Sequence, residues 1–431
     1  MPGPNSTIPV YNVAVAPYSA VGDGTTDNTT AFSHAIADIQ GSGMPGILYV
    51  PPSTGGFVVR NGNLQITHPN IILQGAGSMG SDGGGNSASM VLGNGSGSTF
   101  TITGMGCEVR DLAFKPGPSS SQSGSSDSYL YISQSGTTQG QIRVDNVHMY
   151  SPNIGITLTE PANGAGEYWI ERLLIEGTTL TGGMNVSVGG AAVNLRHVIM
   201  AQAPSTARPQ YGIQVSSAGE LVMSGGCDII AMGNCLALVP GNGQSVGAVL
   251  ISDCLFDGGG GSNTGTWYGA VFVAPSGNGY VAVLRFANVW ASTGSNTTAN
   301  GFAFFGTGST SPFPSIFDVS LVNCLGQGFT QHDGLYASNV VGLSVIGSTF
   351  GGNYNGIGIA AGTTNVVLNG NKCGKYTLPG YPSVGNTNYG IEIDPGVDHY
   401  VVVGNVLNGN GVGTLIDNGG GSNKYLAGNV G

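Results

Sequence analysis

Charge is what this sequence has least of. Among 431 residues, 11 are Lys or Arg and 22 are Asp or Glu, so charged side chains make up 8% of the chain, where about a quarter is usual. The few basic residues form no stripe or cluster and the net charge is −11, which argues against a nucleic-acid partner. The same scarcity weakens the case for a strongly anionic substrate, whose carboxylates would want several Arg or Lys. Recognition of glycan hydroxyl groups needs no such cluster and stays open. Long apolar runs are also missing, so no segment is expected to span a membrane. The opening residues, Met-Pro-Gly-Pro-Asn-Ser-Thr, carry neither a charged n-region nor an apolar h-region, and no secretory signal is expected. The six cysteines (Cys107, Cys227, Cys235, Cys254, Cys324 and Cys373) form no CxxC, and most lie within apolar runs. Buried free thiols are therefore expected rather than disulfides or metal ligands, in keeping with folding in a reducing cytoplasm. No His/Cys/Asp group has metal-ligand spacing and no glycine run opens a helix as a phosphate cradle would. No metal and no other cofactor is expected.

What is abundant is glycine, with 77 residues, alongside a hydrophobic fraction of 40%. Val, Ile and Leu recur in short runs rather than being diluted, which leaves enough apolar surface for a core. One segment has a helical period. Ala31, Phe32, Ala35, Ile36 and Ile39 form a single stripe, with Thr26 or Asp27 as N-cap and Gly41 and Gly43 as the stop. The strand Ile47-Leu48-Tyr49-Val50 follows, ended by Pro51-Pro52. From there to the end the sequence reads as repeated strands. The unit is an apolar residue, a variable one, a small or polar one, then two or three more apolar positions. Val109-Arg110-Asp111-Leu112-Ala113-Phe114, Val144-Asp145-Asn146-Val147-His148-Met149 and Leu321-Val322-Asn323-Cys324-Leu325 are examples. Copies recur about every 25 to 35 residues, a period that means a solenoid or a propeller. Two or three short strands per unit, separated by Gly, Asn and Ser, favour the solenoid. Stacked coils place like on like, so Asp111, Asn146, Asn288, Asn323 and Asn405 are expected to form polar ladders at a turn between strands. Asp253 takes a ladder position too. The Ser/Gly-rich stretches 80–98, 117–128 and 292–300 read as loops projecting from particular coils.

The run Val21-Gly22-Asp23-Gly24-Thr25-Thr26-Asp27-Asn28-Thr29-Thr30-Ala31-Phe32 is followed by Ile47-Leu48-Tyr49-Val50-Pro51-Pro52 and Ile71-Ile72-Leu73-Gln74-Gly75-Ala76-Gly77. This order resembles the start of the pectate-lyase-like β-helix superfamily, above all the branch of phage tailspikes, polysaccharide depolymerases and exopolygalacturonase-like enzymes. The match is close over roughly the first eighty residues and continues as repeat pattern, as solenoids with divergent loops do. The resemblance implies an all-β fold, a right-handed parallel β-helix with a short N-terminal capping α-helix. Residues 1–60 would be the N-terminal segment and cap, and 61–431 the β-helix, one continuous unit with its cap. It also implies that Asp23 and Asp27 belong to the cap and not to chemistry. The hydrolase branch's Asn-Thr-Asp, Asp-Asp, Gly-His-Gly and Arg-Ile-Lys motifs do not occur, nor does the Arg and acidic cluster of a calcium-dependent pectate lyase.

Candidate catalytic groups must therefore come from the residues themselves. Glycoside hydrolysis needs two carboxyl groups flanking the scissile bond, and residues i and i+2 of a strand point the same way with Cα atoms about 6.5–7 Å apart. In Gly390-Ile391-Glu392-Ile393-Asp394 the isoleucines would face the core and Glu392 and Asp394 the outside. The same two acids would also keep a strand edge soluble. His332-Asp333, followed by Gly334, would have to lie in a turn to cooperate, and an Asp-Gly turn is ordinary in its own right. Asp398-His399 has the same property. Asp257 opens a Gly-rich segment from which it would reach a groove. Trp267-Tyr268 and Tyr168-Trp169 offer aromatic faces for pyranose stacking, half of each pair serving packing.

The favoured expectation is a virion-associated, tailspike-like homotrimer that binds host surface polysaccharide and cleaves it, hydrolysis being preferred to lyase chemistry. It would assemble in the host cytoplasm, with other virion proteins as further partners. A purely structural virion fibre and a secreted polysaccharide lyase or hydrolase are the alternatives.

Overall fold

The computed structural model describes residues 8–60, 62–78, 88–93, 97–118, 127–134, 140–160, 165–177, 181–202, 210–230, 233–258, 269–293, 299–308, 313–375 and 384–431. They divide into two compact units, Met1–Ala203 and Pro204–Gly431. Each is a stack of short parallel strands, and within each unit strand pairing joins the coils in two ladders, here called sheet A and sheet B.

In the first unit, sheet A carries the inward column Leu48, Leu73, Val109, Val144, Ile170 and Leu195, each in register with the next. Sheet B carries Leu64, Phe100, Leu130, Ile156 and Met184 in the same way. All eleven are buried. Full burial of such a side chain is worth ~1.5–3 kcal/mol, so a stack of identical columns sustains a long thin core without helices. In the second unit the sheet A column is Leu221, Val249, Leu284, Val319, Leu343 and Val366. Its sheet B counterpart is Ile213, Leu236, Val271, Phe302, Leu335, Ile357 and Ile391. Core residues alternate with outward ones along each strand, which is the period-2 pattern of a pleated surface.

The repeated polar position is a left-handed corner. Asp111, Asn146, Arg172 and His197 in the first unit have φ of 55°, 52°, 51° and 50°, and Asp253, Asn288 and Asn323 in the second have 54°, 55° and 52°. Later coils use Gly347, Gly370 and Gly404 at the same place, with φ of 59°, 65° and 65°. Asn, Asp and Gly tolerate this region best, which is why the position reads as small or polar. The corner side chains form the expected ladders. Asn146 Nδ2 donates to Asp111 Oδ1 (2.7 Å), Asn288 Nδ2 to Asp253 Oδ1 (3.0 Å) and Asn323 Nδ2 to Asn288 Oδ1 (2.7 Å). Asn405 is a correction. It lies one residue past the corner, fully buried, in a separate interior ladder. Its Oδ1 accepts from Asn371 N (2.8 Å), while its own N–H donates to Asn429 Oδ1 (3.1 Å). Backbone groups turned inward at a corner need partners, and a buried amide side chain supplies them.

The helix α1 (Thr29–Ser42) buries Phe32, Ala35, Ile36 and Ile39. Its N-cap is Asn28 rather than Thr26 or Asp27, and the Asn28 side chain accepts from Val21 N (2.6 Å) and donates to Thr26 O (2.8 Å) instead of capping the helix. Asp27 still satisfies the first turn, accepting from Thr29 N (3.0 Å) and Thr29 Oγ1 (2.6 Å). Gly41 lies inside the last turn, and Gly43 alone ends the helix in a left-handed conformation with φ of 65°. Asp23 closes a turn over Thr25 and Thr26, whose N–H and hydroxyl groups hold its carboxyl well below the usual range. Both aspartates are thus committed to the cap.

All six cysteines are buried free thiols. Within 80–98, Met90–Gly93 is not loop but a sheet A strand, pairing with Phe57–Val59 and with Ala113–Pro116. Most of the remaining Ser/Gly-rich sequence lies outside the described residues. Among the described residues no helix is long and apolar enough to cross a membrane.

Candidate functional site

In the second unit, three successive coils place Tyr336, Gly358 and Glu392 in one outward row on sheet B. Ile391 and Ile393 are buried, while Glu392 on that strand and Asp394, the residue just past its end, are half-buried on the outer side, as alternation requires. The turn before the strand Leu335–Ser338 brings in a third carboxyl group. Asp333 is only 7% exposed, and its Oδ2 occupies the space that a Cβ at position 358 would fill. Gly358 is required here because any side chain would displace the acid.

A single residue ties the acids together. Asn355, itself buried, donates its backbone N–H to Asp333 Oδ1 (3.2 Å) and its side-chain amide to Glu392 Oε2 (2.7 Å). Its Oδ1 accepts from Asn388 Nδ2 (3.0 Å) and Tyr389 N (3.1 Å), which fixes its orientation. Asp333 N in turn donates to Asn300 Oδ1 (3.0 Å). Burial pushes the Asp333 carboxyl up to about 7, and the nearby carboxyls of Glu392 and Asp394 add to the rise against the hydrogen bonds from Asn355. The Tyr336 hydroxyl is raised by burial and by the Asp394 and Asp333 carboxyls. A carboxyl group raised toward neutrality beside two further carboxyl groups has the chemistry of a general acid set next to a base or nucleophile.

Aromatic rings adjoin the cluster. Phe272, Ala303 and Tyr336 stand in register on the outer face of sheet B, one per coil, and Phe305 lies two residues beyond Ala303 on the same face. The Phe272 and Phe305 rings are 6.0 Å apart and those of Phe305 and Tyr336 5.2 Å. Sequence reading missed all three. Each sits in an apolar run, and only strand alternation against buried Phe302 and Phe304 marks Phe305 as outward.

The other candidates fall elsewhere. The turn buries Asp333 and leaves His332 exposed, so the two adjacent residues do not form a pair. Asp257 is on sheet A, where its Oδ1 accepts from Ser292 Oγ (2.9 Å). Tyr168 is a correction. It is 1% exposed in the core of the first unit, donating to Glu160 Oε1 (2.5 Å), because strand alternation turns it inward and its neighbour Trp169 outward. Trp267 and Tyr268 lie outside the described residues. Among the described residues no group of three or more His, Cys, Asp or Glu is placed to hold a metal ion.

No family model matches the chain, and no curated protein matches it by sequence. Solved structures do. The A-module of the mannuronan C-5 epimerase AlgE6 of Azotobacter vinelandii superposes with a TM-score of 0.52 at 15% identity, over 97% of this chain and 98% of that one. A mutant tailspike protein of E. coli bacteriophage HK620, in complex with a hexasaccharide, gives 0.58 at 10% identity over 97% and 80%. Tailspike protein 3 of bacteriophage CBA120 gives 0.50 at 12% identity over 97% and 60%. At these identities the likeness is one of fold. The chain has a right-handed parallel β-helix fold, the architecture its capping sequence and repeats point to.

Proposed function

We propose that this protein is a tailspike-like, polysaccharide-binding β-helix that hydrolyses glycosidic bonds on the outer face of sheet B in its second unit. The observation that carries the reading is the convergence of Glu392 and Asp394, from one coil, with the buried Asp333 from a turn two coils earlier, beside Phe305 and Tyr336. In this reading Asp333 is the general acid that protonates the leaving glycosidic oxygen. Glu392 or Asp394 is the carboxylate that activates water or attacks the anomeric carbon. The aromatic row gives successive sugar rings a stacking surface. The HK620 tailspike, which shares the fold, was captured with a hexasaccharide.

A homotrimeric, virion-borne assembly is the setting the tailspike resemblance implies. Sheet A of the second unit supports it with outward residues Val322, Ile346, Val367 and Val401, which are 36–42% exposed. A face of this kind gains from being covered by further copies. Light-scattering mass determination of the purified chain tests the assembly.

The activity is tested by incubating the protein with a panel of bacterial surface polysaccharides. New reducing ends without the ultraviolet absorbance of an unsaturated uronate support hydrolysis. Both signals together indicate a lyase and overturn the assignment of these carboxyls. Silence across the panel from a folded assembly leaves a structural fibre.

A further inference from the structure

The first unit carries a cleft of about 600 Å³ on the outer face of sheet A. That volume lies within the range of small-ligand sites. Its defining residue is Trp169, outward between buried Tyr168 and Ile170 and in register with Arg143 on one side and Asn194 on the other. The indole is held in place at its edge, because Nε1 donates to Glu167 Oε2 (3.4 Å), which also accepts from Gln141 Nε2 (3.0 Å).

We infer that this cleft is a saccharide-binding site for a neutral glycan. An indole fixed by its polar edge suits stacking against the apolar face of a pyranose ring. The walls are hydrogen-bonding side chains of both kinds. Asn70 and Gln141 each donate and accept, Glu108 and Glu171 accept, and Arg143 donates. Parallel strands hold most of these groups in fixed register, which lowers the entropy lost on binding.

Charge decides the ligand class. The Arg143 guanidinium already contacts Glu171 Oε2 (2.9 Å) and Asp145 Oδ2 (3.3 Å), so it has no unpaired charge to offer a glycan carboxylate. Glu108 is likewise paired with Arg110 (3.6 Å), so the lining offers an acidic sugar no cation that is not already matched by a carboxylate. Hydroxyl groups of a neutral sugar need none. Binding here requires nothing of the Asp333 cluster.

The test is saturation-transfer NMR and calorimetry on the full chain with cellohexaose, maltohexaose and xylohexaose as neutral probes and hexagalacturonate as the acidic one. At least one neutral hexaose binds, Trp169→Ala weakens it about tenfold, the ~1.4 kcal/mol expected of one lost stacking contact, and Trp169→Tyr restores part of it. The variant Glu392→Gln/Asp394→Asn leaves this binding unchanged, which separates the cleft from the proposed catalytic face. Absence of binding by every neutral hexaose overturns the inference. So does preference for hexagalacturonate, or binding lost in the carboxylate variant and kept in Trp169→Ala.

Discussion

Replacing Asp333 by Asn removes an ionisation that the fold opposes. Burial and the neighbouring acids raise the Asp333 carboxyl from an ordinary 3.8 to about 7. Because the folded value is the higher, the folded state binds the proton more tightly than the unfolded chain does. Wild-type stability from this group is therefore greatest below about pH 4, falls as pH rises toward 7, and levels off above it. The total, at about 1.4 kcal/mol per tenfold change in proton affinity, is ~4 kcal/mol. Asn keeps an oxygen to accept from Asn355 N and cannot ionise. The stability difference between Asp333→Asn and wild type should accordingly shift by ~4 kcal/mol in favour of the variant between pH 4 and pH 8. Urea unfolding at closely spaced pH values measures it, and titrating groups that do not interact with Asp333 cancel in the difference. A difference that stays flat with pH would refute the reasoning and remove Asp333 as the acid.

Gly358→Ala should disturb the same group by steric means. Its new Cβ would collide with Asp333 Oδ2, so the variant should fold, lose cleavage activity and lose the pH-dependent stability component together. Asn405→Ala should cost ~2–4 kcal/mol in thermal or urea unfolding, since it orphans the buried Asn371 N–H and Leu368 carbonyl. Asn323→Gly, at a left-handed corner that Gly adopts freely, should cost less than ~1 kcal/mol by the same measurement.

Much of the fold was legible because its chemistry repeats. The left-handed corner admits few residue types, so Asp111, Asn146, Asn288 and Asn323 announced each coil, and the aliphatic columns filled the spaces between. The exceptions have reasons. Arg172 and His197 occupy the same corner without being small, and Asn405 was assigned to the corner although Gly404 holds it. Local alternation also placed Glu392 and Asp394 on one face and set Trp169 apart from Tyr168. What alternation cannot supply is the register between coils. Coil length varies, so nothing in the sequence aligns the Asp333 turn with the Glu392 strand two coils later. The Asn355 bridge and the Phe272, Phe305 and Tyr336 row stayed invisible for that reason. His332 and Asp333 looked like partners because they are adjacent, while the three-dimensional partners of Asp333 are distant in the chain.

The central claim is that the outer face of sheet B cleaves glycan through these carboxyl groups. Its most direct test is the initial rate of reducing-end release from a polysaccharide that the wild type degrades, set against the rate for Glu392→Gln/Asp394→Asn with glycan affinity measured in parallel. The account predicts a fall of at least ~100-fold in rate, the scale of lost acid/base catalysis, with binding retained. Cleavage at the full wild-type rate by the folded double variant would contradict it.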